Sequence, residues 1–168
     1  AAARIEPVCP FMIRPRGIGP CAPPVCPGCA YGHLPYAREL AVKQAQFRDA
    51  VIRLGGVADP VFRPPLASPQ PLGYRNKITL HARKEGRETV LGYRATDNRT
   101  VLDVPACPLA AAPINDLLAA LRAKPGFFQT LRDGMDVTLR WTDQDGALYW
   151  RGAPGAGEPW LRETTPGG

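Results

Sequence analysis

The spacing of apolar residues changes along the chain, and each change marks an element. Residues 1–30 show no apolar period and read as a loop. In "LPYARELAVKQAQFRDAVIRLGG", Leu40, Phe47, Val51 and Leu54 fall on one stripe at helical spacing. Pro35 suits the first turn, where its missing N–H costs nothing, and Gly55 and Gly56 supply the stop. Residues 57–73, "VADPVFRPPLASPQPLG", form a proline-rich connector with little room for regular structure. The pattern then switches to period two. Ile78, Leu80 and Ala82 alternate with Lys77, Thr79, His81 and Arg83, as in a half-buried strand with His81 on its polar side. "KEGR" reads as a turn, "ETVLGYR" as the returning strand and "TVLDV" as a third short strand. Residues 109–123 regain the helical period, with Ile114, Leu117, Leu118 and Leu121 on the buried face. "MDVTLRW" and "GALYWRG" form another hairpin across "TDQDG".

This order predicts an α+β fold: a cysteine-rich loop, then a small antiparallel sheet with two helices. The expected divisions are the loop at 1–34, a helix at 35–56 and the linker at 57–73. An α+β region at 74–151 and a second linker at 152–168 complete the chain.

Composition narrows the function classes. Of 168 residues, 45% are hydrophobic and 21% charged, as in a folded domain, and no stretch is apolar for long enough to span a membrane. No charged start is followed by an apolar run, so no secretory signal is expected and a cytoplasmic monomer is the default. The chain opens "AAARIEPVCP" and stops at "TTPGG", and we expect it to be a piece of a longer protein. Its net charge of +6 suits a polyanionic partner, nucleic acid being the commonest.

Five cysteines do not close into a disulfide framework. In a reducing compartment, clustered cysteines point to a metal or a redox cofactor. Cys21, Cys26 and Cys29 bring three thiolates within reach of one centre, and the prolines and glycine among them keep the backbone turned. A tetrahedral zinc ion or an iron–sulfur cluster needs a fourth ligand, for which Cys9 and Cys107 remain. Three close cysteines with a remote fourth is a common cluster arrangement, and zinc stays open on spacing alone. His33, beyond the cysteines, reads as a packing residue at the helix start. "GYRNK" joins the ring of Tyr74 to Arg75, Asn76 and Lys77 at a strand start, and Arg83, Lys84, Arg87, Arg94 and Arg99 add charge around the next hairpin. Such a set suits single-stranded RNA, with bases stacked on aromatics and phosphates paired with basic groups.

In this order "RIEPVCP", "CPGCAYGHLPYARELAVKQ", "SPQPLGYRNKITL", "LGYR" and "VLDVPACPL" resemble the RNA uracil-C5 methyltransferase family. The closest likeness is to its iron–sulfur-containing branch, which methylates uridine in 23S ribosomal RNA. The resemblance implies a [4Fe–4S] cluster on Cys26, Cys29 and Cys107. It implies Cys21 as first ligand by spacing, with Cys9 as the alternative by its upstream context. It further implies a following catalytic domain that binds S-adenosylmethionine and supplies a nucleophilic cysteine. That cysteine attacks uracil C6, the methyl group goes to C5, and a base removes the C5 proton after the target is flipped out. No cysteine follows Cys107 and no glycine-rich strand-to-helix loop is present, so no catalytic residue and no cofactor-binding residue for S-adenosylmethionine is expected here. "GFFQT" at 126–130 reads as a chance likeness to a later family motif. Cys21, Cys26, Cys29 and Cys107 are thus the expected cluster ligands, and Tyr74, Arg75, Asn76, Lys77, Arg83 and Arg94 the expected contacts to ribosomal RNA. A zinc-stabilised RNA-binding module and a truncated, non-catalytic homologue are the alternatives.

Overall fold

Alternating apolar residues at 78–82 and 137–139 build the centre of an antiparallel sheet. The computed structural model describes residues 9–10, 25–58, 61–153 and 161–162. Its elements are α1 (Tyr36–Arg53), β1 (Lys77–Glu85), β2 (Glu88–Arg94), β3 (Val101–Asp103), α2 (Ala112–Ala123), β4 (Asp136–Thr142), β5 (Gly146–Gly152) and β6 (Leu161–Arg162). Single 3₁₀ turns occupy Pro27–Cys29 and Phe128–Thr130. The strands lie in the order β3-β2-β1-β4-β5-β6, each antiparallel to its neighbour. The α+β class with two helices is as expected.

Register explains the core. Ile78 faces Leu139, Leu80 faces Val137 and Ala82 faces Leu91 across adjacent strands, so one sheet face is continuously apolar. Helix α2 covers that face with Ile114, Leu117, Leu118 and Leu121, all fully buried. Each such side chain contributes at most about 1.5–3 kcal/mol of apolar burial. Phe127 and Leu131 close one end of the core. The "GFFQT" segment is therefore a core anchor. At Gly92 a Cβ would lie 1.6 Å from the Leu102 carbonyl oxygen, so only glycine lets β3 pair here.

Three expectations change. Helix α2 starts at Ala112, not at residue 109, because Pro108–Ala111 spend their backbone hydrogen bonds elsewhere: Pro108 and Leu109 carbonyls accept from Gly73 and Arg75, and the Ala111 N–H donates to the Arg75 carbonyl. The stretch 152–168, expected as linker, contributes β6, which pairs with Leu148 and Tyr149 of β5. The apolar stripe of α1 enters no core among the described residues. Phe47 is 62% exposed and Leu54 88%. The helix packs instead on the proline-rich connector. Phe47 meets Phe62 edge-on at 5.8 Å, Arg48 lies over the same ring, and Gln44 donates to the Arg63 carbonyl.

Candidate metal centre and adjoining surface

The cysteine loop is held from both ends. Pro27 opens the 3₁₀ turn that carries the chain from Cys26 to Cys29. The Val25 carbonyl accepts the Thr96 N–H at 3.0 Å, fixing the loop to the β2–β3 turn. That turn is itself braced by Asp97, whose carboxylate accepts from the Arg99 and Thr100 N–H groups and the Thr100 hydroxyl. Cys107 is fixed from the other side. Its N–H donates to Asn115 Oδ1 at 2.9 Å, and Asn115 Nδ2 donates to the Cys107 and Ala110 carbonyls. A parallel bridge between Arg75 and Ala110 then lays "GYRNK" beside "ACPLA".

These constraints place Cys9, Cys26, Cys29 and Cys107 on the wall of one cavity of about 320 Å³, which Arg75, His81 and Tyr93 also line. All four are free thiols; Cys9 and Cys107 are buried. Cys21 lies outside the described residues. Among the described residues no three His, Cys, Asp or Glu side chains are gathered tightly enough to hold a metal ion as they stand. His33 does not line the cavity; it precedes α1 with Nδ1 buried and unpartnered among the described residues. His81, expected at the surface, is half-buried, and its Nδ1 lies 2.6 Å from the carboxylate of buried Asp136.

The electrostatics are those of a thiol cluster. Burial pushes the Cys29 thiol up to about 11, and Cys107, Cys9 and Cys26 push it the same way. Burial also raises Cys26, against the Gly28 N–H, which stabilises its thiolate. Arg75 is the cation that offsets this mutual repulsion. Raised thiols are poor nucleophiles at neutral pH, and a bound cation would be needed to hold them as thiolates. The Tyr93 hydroxyl is buried and, among the described residues, has no hydrogen bond of regular geometry. It faces Cys107, and burial followed by that contact raises its pKa. A buried O–H aimed at a sulfur is satisfied once that sulfur is a thiolate carrying a metal. The donor set, four soft sulfurs with an N–H, an O–H and a guanidinium around them, fits an iron–sulfur cluster.

The residues expected to meet RNA fall into two groups. Tyr74 is 57% exposed, and Asn76 and Lys77 are exposed beside it. Arg75 turns inward and reaches the Gly28 carbonyl at 3.5 Å, so its guanidinium serves the cysteine loop. Arg83, Arg94 and Arg99 gather around one small cleft beside His81, where Arg83 donates to the Arg99 carbonyl. Lys84 bonds the Thr89 hydroxyl, and Arg87 sits in the β1–β2 turn. The sequence motifs pass over Asn115 and Asp97 and include Tyr93 only as a letter of "LGYR".

No protein-family model matches the chain. Curated relatives do. An uncharacterized RNA methyltransferase of Gloeobacter violaceus is 37% identical over 120 residues, covering 71% of this chain and 24% of the relative. A 23S rRNA (uracil(1939)-C(5))-methyltransferase of Acidithiobacillus ferrooxidans is 29% identical over 152 residues, 90% of this chain and 32% of the relative. A protein of the same name from Shewanella sediminis is 30% identical over 120 residues. The chain belongs to the RNA uracil-C5 methyltransferase family. It spans between a quarter and a third of the length of these relatives. In this family member the region described is the one that carries the cysteine cavity. No helix among the described residues is long and apolar enough to cross a membrane.

Proposed function

We propose that this chain is the cluster-bearing, RNA-positioning region of an S-adenosylmethionine-dependent methyltransferase acting on uridine C5 of ribosomal RNA. Its setting is the cytoplasm and its state a monomer. The observation that carries the reading is the convergence of four free cysteines from three separate segments on one cavity beside Tyr74 and Arg75. A zinc ion with Zn–S near 2.3 Å requires sulfurs within about 4 Å of one another. A cubane cluster spans its thiolates more widely, which suits cysteines arriving from three separate segments and is the reason iron–sulfur is preferred to zinc in this reading.

Cys9, Cys26, Cys29 and Cys107 are the four ligands in this reading. Cys9 takes the first place because it is buried at the cavity wall. When bound, the cluster supplies a rigid cross-link. The chain's own groups do the rest: Asn115 fixes the Cys107 backbone, Arg75 balances the thiolate charge, and Tyr93 donates to the Cys107 sulfur. Methyl transfer belongs to S-adenosylmethionine and a catalytic cysteine supplied by other parts of the enzyme. The pinned loop presents Tyr74, Asn76 and Lys77, with Arg83, Arg94 and Arg99 on the neighbouring strands, to folded RNA.

Binding of a structured ribosomal RNA fragment across a salt series tests this reading. Affinity falls steeply as salt rises, and Arg94→Ala lowers the slope of log affinity against log salt by about one. Tyr74→Ala weakens binding by about five- to hundredfold, the range of one lost base stack. Absence of binding at low salt, or affinity unchanged in both variants, contradicts it.

A further inference from the structure

A second cavity adjoins the cysteine loop and shares Gly28, Cys29 and Leu109 with the first. It is an open-sided cleft of about 400 Å³ between the loop, α1 and the proline-rich connector. Tyr31, Tyr36 and Tyr74 contribute three rings to its walls, and Glu39, Lys43 and Gln70 contribute polar groups. Two of the rings are locked. The Tyr31 hydroxyl donates to Gln46 Oε1 at 2.6 Å, and the Tyr36 hydroxyl accepts the Ser68 N–H at 2.8 Å. Lys43 lies over the Tyr31 ring, 5.3 Å from its centroid, while pairing with Glu39. Gln70 is held by its own donation to the Gly73 carbonyl. Tyr74 is exposed and carries the mouth of the cleft.

We propose that this cleft takes one unstacked nucleobase of single-stranded RNA. The cleft is of nucleotide size. Aromatic walls already held in place cost little entropy on stacking, and every base presents a π-face to them. Charge separates a base from a phosphate here. Glu39 offsets Lys43, so the lining has no surplus cation to hold a phosphate. The carboxylate accepts from a ring or amino N–H, and the Gln70 amide and Lys43 meet carbonyl oxygens. The open side lets a strand enter and leave, and Tyr74 at the mouth leads to the exposed Lys77 on β1. The inference rests on the RNA-binding reading above and adds a specific base site at residues which that reading does not use, Tyr31 and Lys43.

The test is equilibrium binding of a decauridylate strand and of the same sugar–phosphate strand with every base removed. The 168-residue protein is compared with Lys43→Met, Tyr31→Ala and Tyr31→Phe. Wild type is expected to prefer the intact strand by about tenfold. Tyr31→Phe keeps that preference, while Tyr31→Ala and Lys43→Met, the latter on an exposed helix position, reduce it to about threefold or less. Equal binding of the two strands by wild type, or full preference in both Lys43→Met and Tyr31→Ala, overturns the cleft assignment and leaves the RNA reading standing. Failure of wild type to bind either strand, or structured ribosomal RNA, overturns the RNA reading and the cleft with it.

Discussion

Asn115 stands in the first turn of α2, where its side chain takes the Cys107 N–H and returns two donations to the Cys107 and Ala110 carbonyls. One amide thereby satisfies three backbone groups at a buried cysteine. Substitution by alanine leaves a buried N–H without its acceptor, which costs about 1–3 kcal/mol. Asn115→Ala is expected to lower the thermal midpoint and to slow incorporation of iron, because Cys107 loses its fixed direction. Asn115→Asp keeps the acceptor and restores part of the stability. Thermal denaturation of the two variants checks this, and identical midpoints for wild type and Asn115→Ala contradict it. Tyr93 acts at the same scale. Its hydroxyl matters only toward a sulfur, which is why the residue read as one letter of "LGYR" until its burial was seen.

The elements show where sequence pattern carries information and where it stops. Strand β1 and helix α2 were legible because each has one buried face, and burial imposes a period: Ile78, Leu80 and Ala82 in β1, Ile114, Leu117, Leu118 and Leu121 in α2. Helix α1 was equally legible as a helix, yet its stripe misled about burial. Phe47 pairs with Phe62 on a connector that has no period to read. The short β6 was illegible because two residues are too few to alternate. The brace of the β2–β3 turn was not legible either. Asp97 is drawn down from 3.8 to about 2, first by the Thr100 hydroxyl and then by the Arg99 and Thr100 N–H groups. The folded-state pKa lies below the unfolded value. The turn's contribution is therefore complete above about pH 4 and is lost as pH falls toward 2. An NMR titration of the Asp97 carboxyl should give a midpoint near 2, moving toward the ordinary aspartate value in Thr100→Val. A midpoint near 4 in the wild type contradicts the bracing.

At the scale of the whole molecule, the cysteine loop, the β2–β3 turn and the segment before α2 meet at one cavity. Thr96 ties the first two, Arg75 and Ala110 the last to the segment that carries Tyr74 into β1. Spacing grouped Cys21, Cys26 and Cys29 and left Cys9 and Cys107 for the remote place; only the family resemblance singled out Cys26, Cys29 and Cys107 together. The choice of first ligand was not readable, since it depends on which upstream segment folds back, and no local period encodes that. Cys9 lies on the cavity wall. The positive charge was legible in sum, but its division was not: Arg75 turns to the thiols, Arg83 and Arg99 line the adjoining small cleft, and Arg94 lines both.

The central claim is that Cys9, Cys26, Cys29 and Cys107 hold one iron–sulfur cluster. Anaerobic reconstitution of wild type, Cys9→Ser and Cys21→Ser, with iron, sulfide and zinc analysis and visible absorption, tests it most directly. The account predicts about four irons per chain and a broad band near roughly 400 nm in wild type and Cys21→Ser, both largely lost in Cys9→Ser. Equimolar zinc without the band in wild type, or full iron in Cys9→Ser with loss in Cys21→Ser, would contradict it.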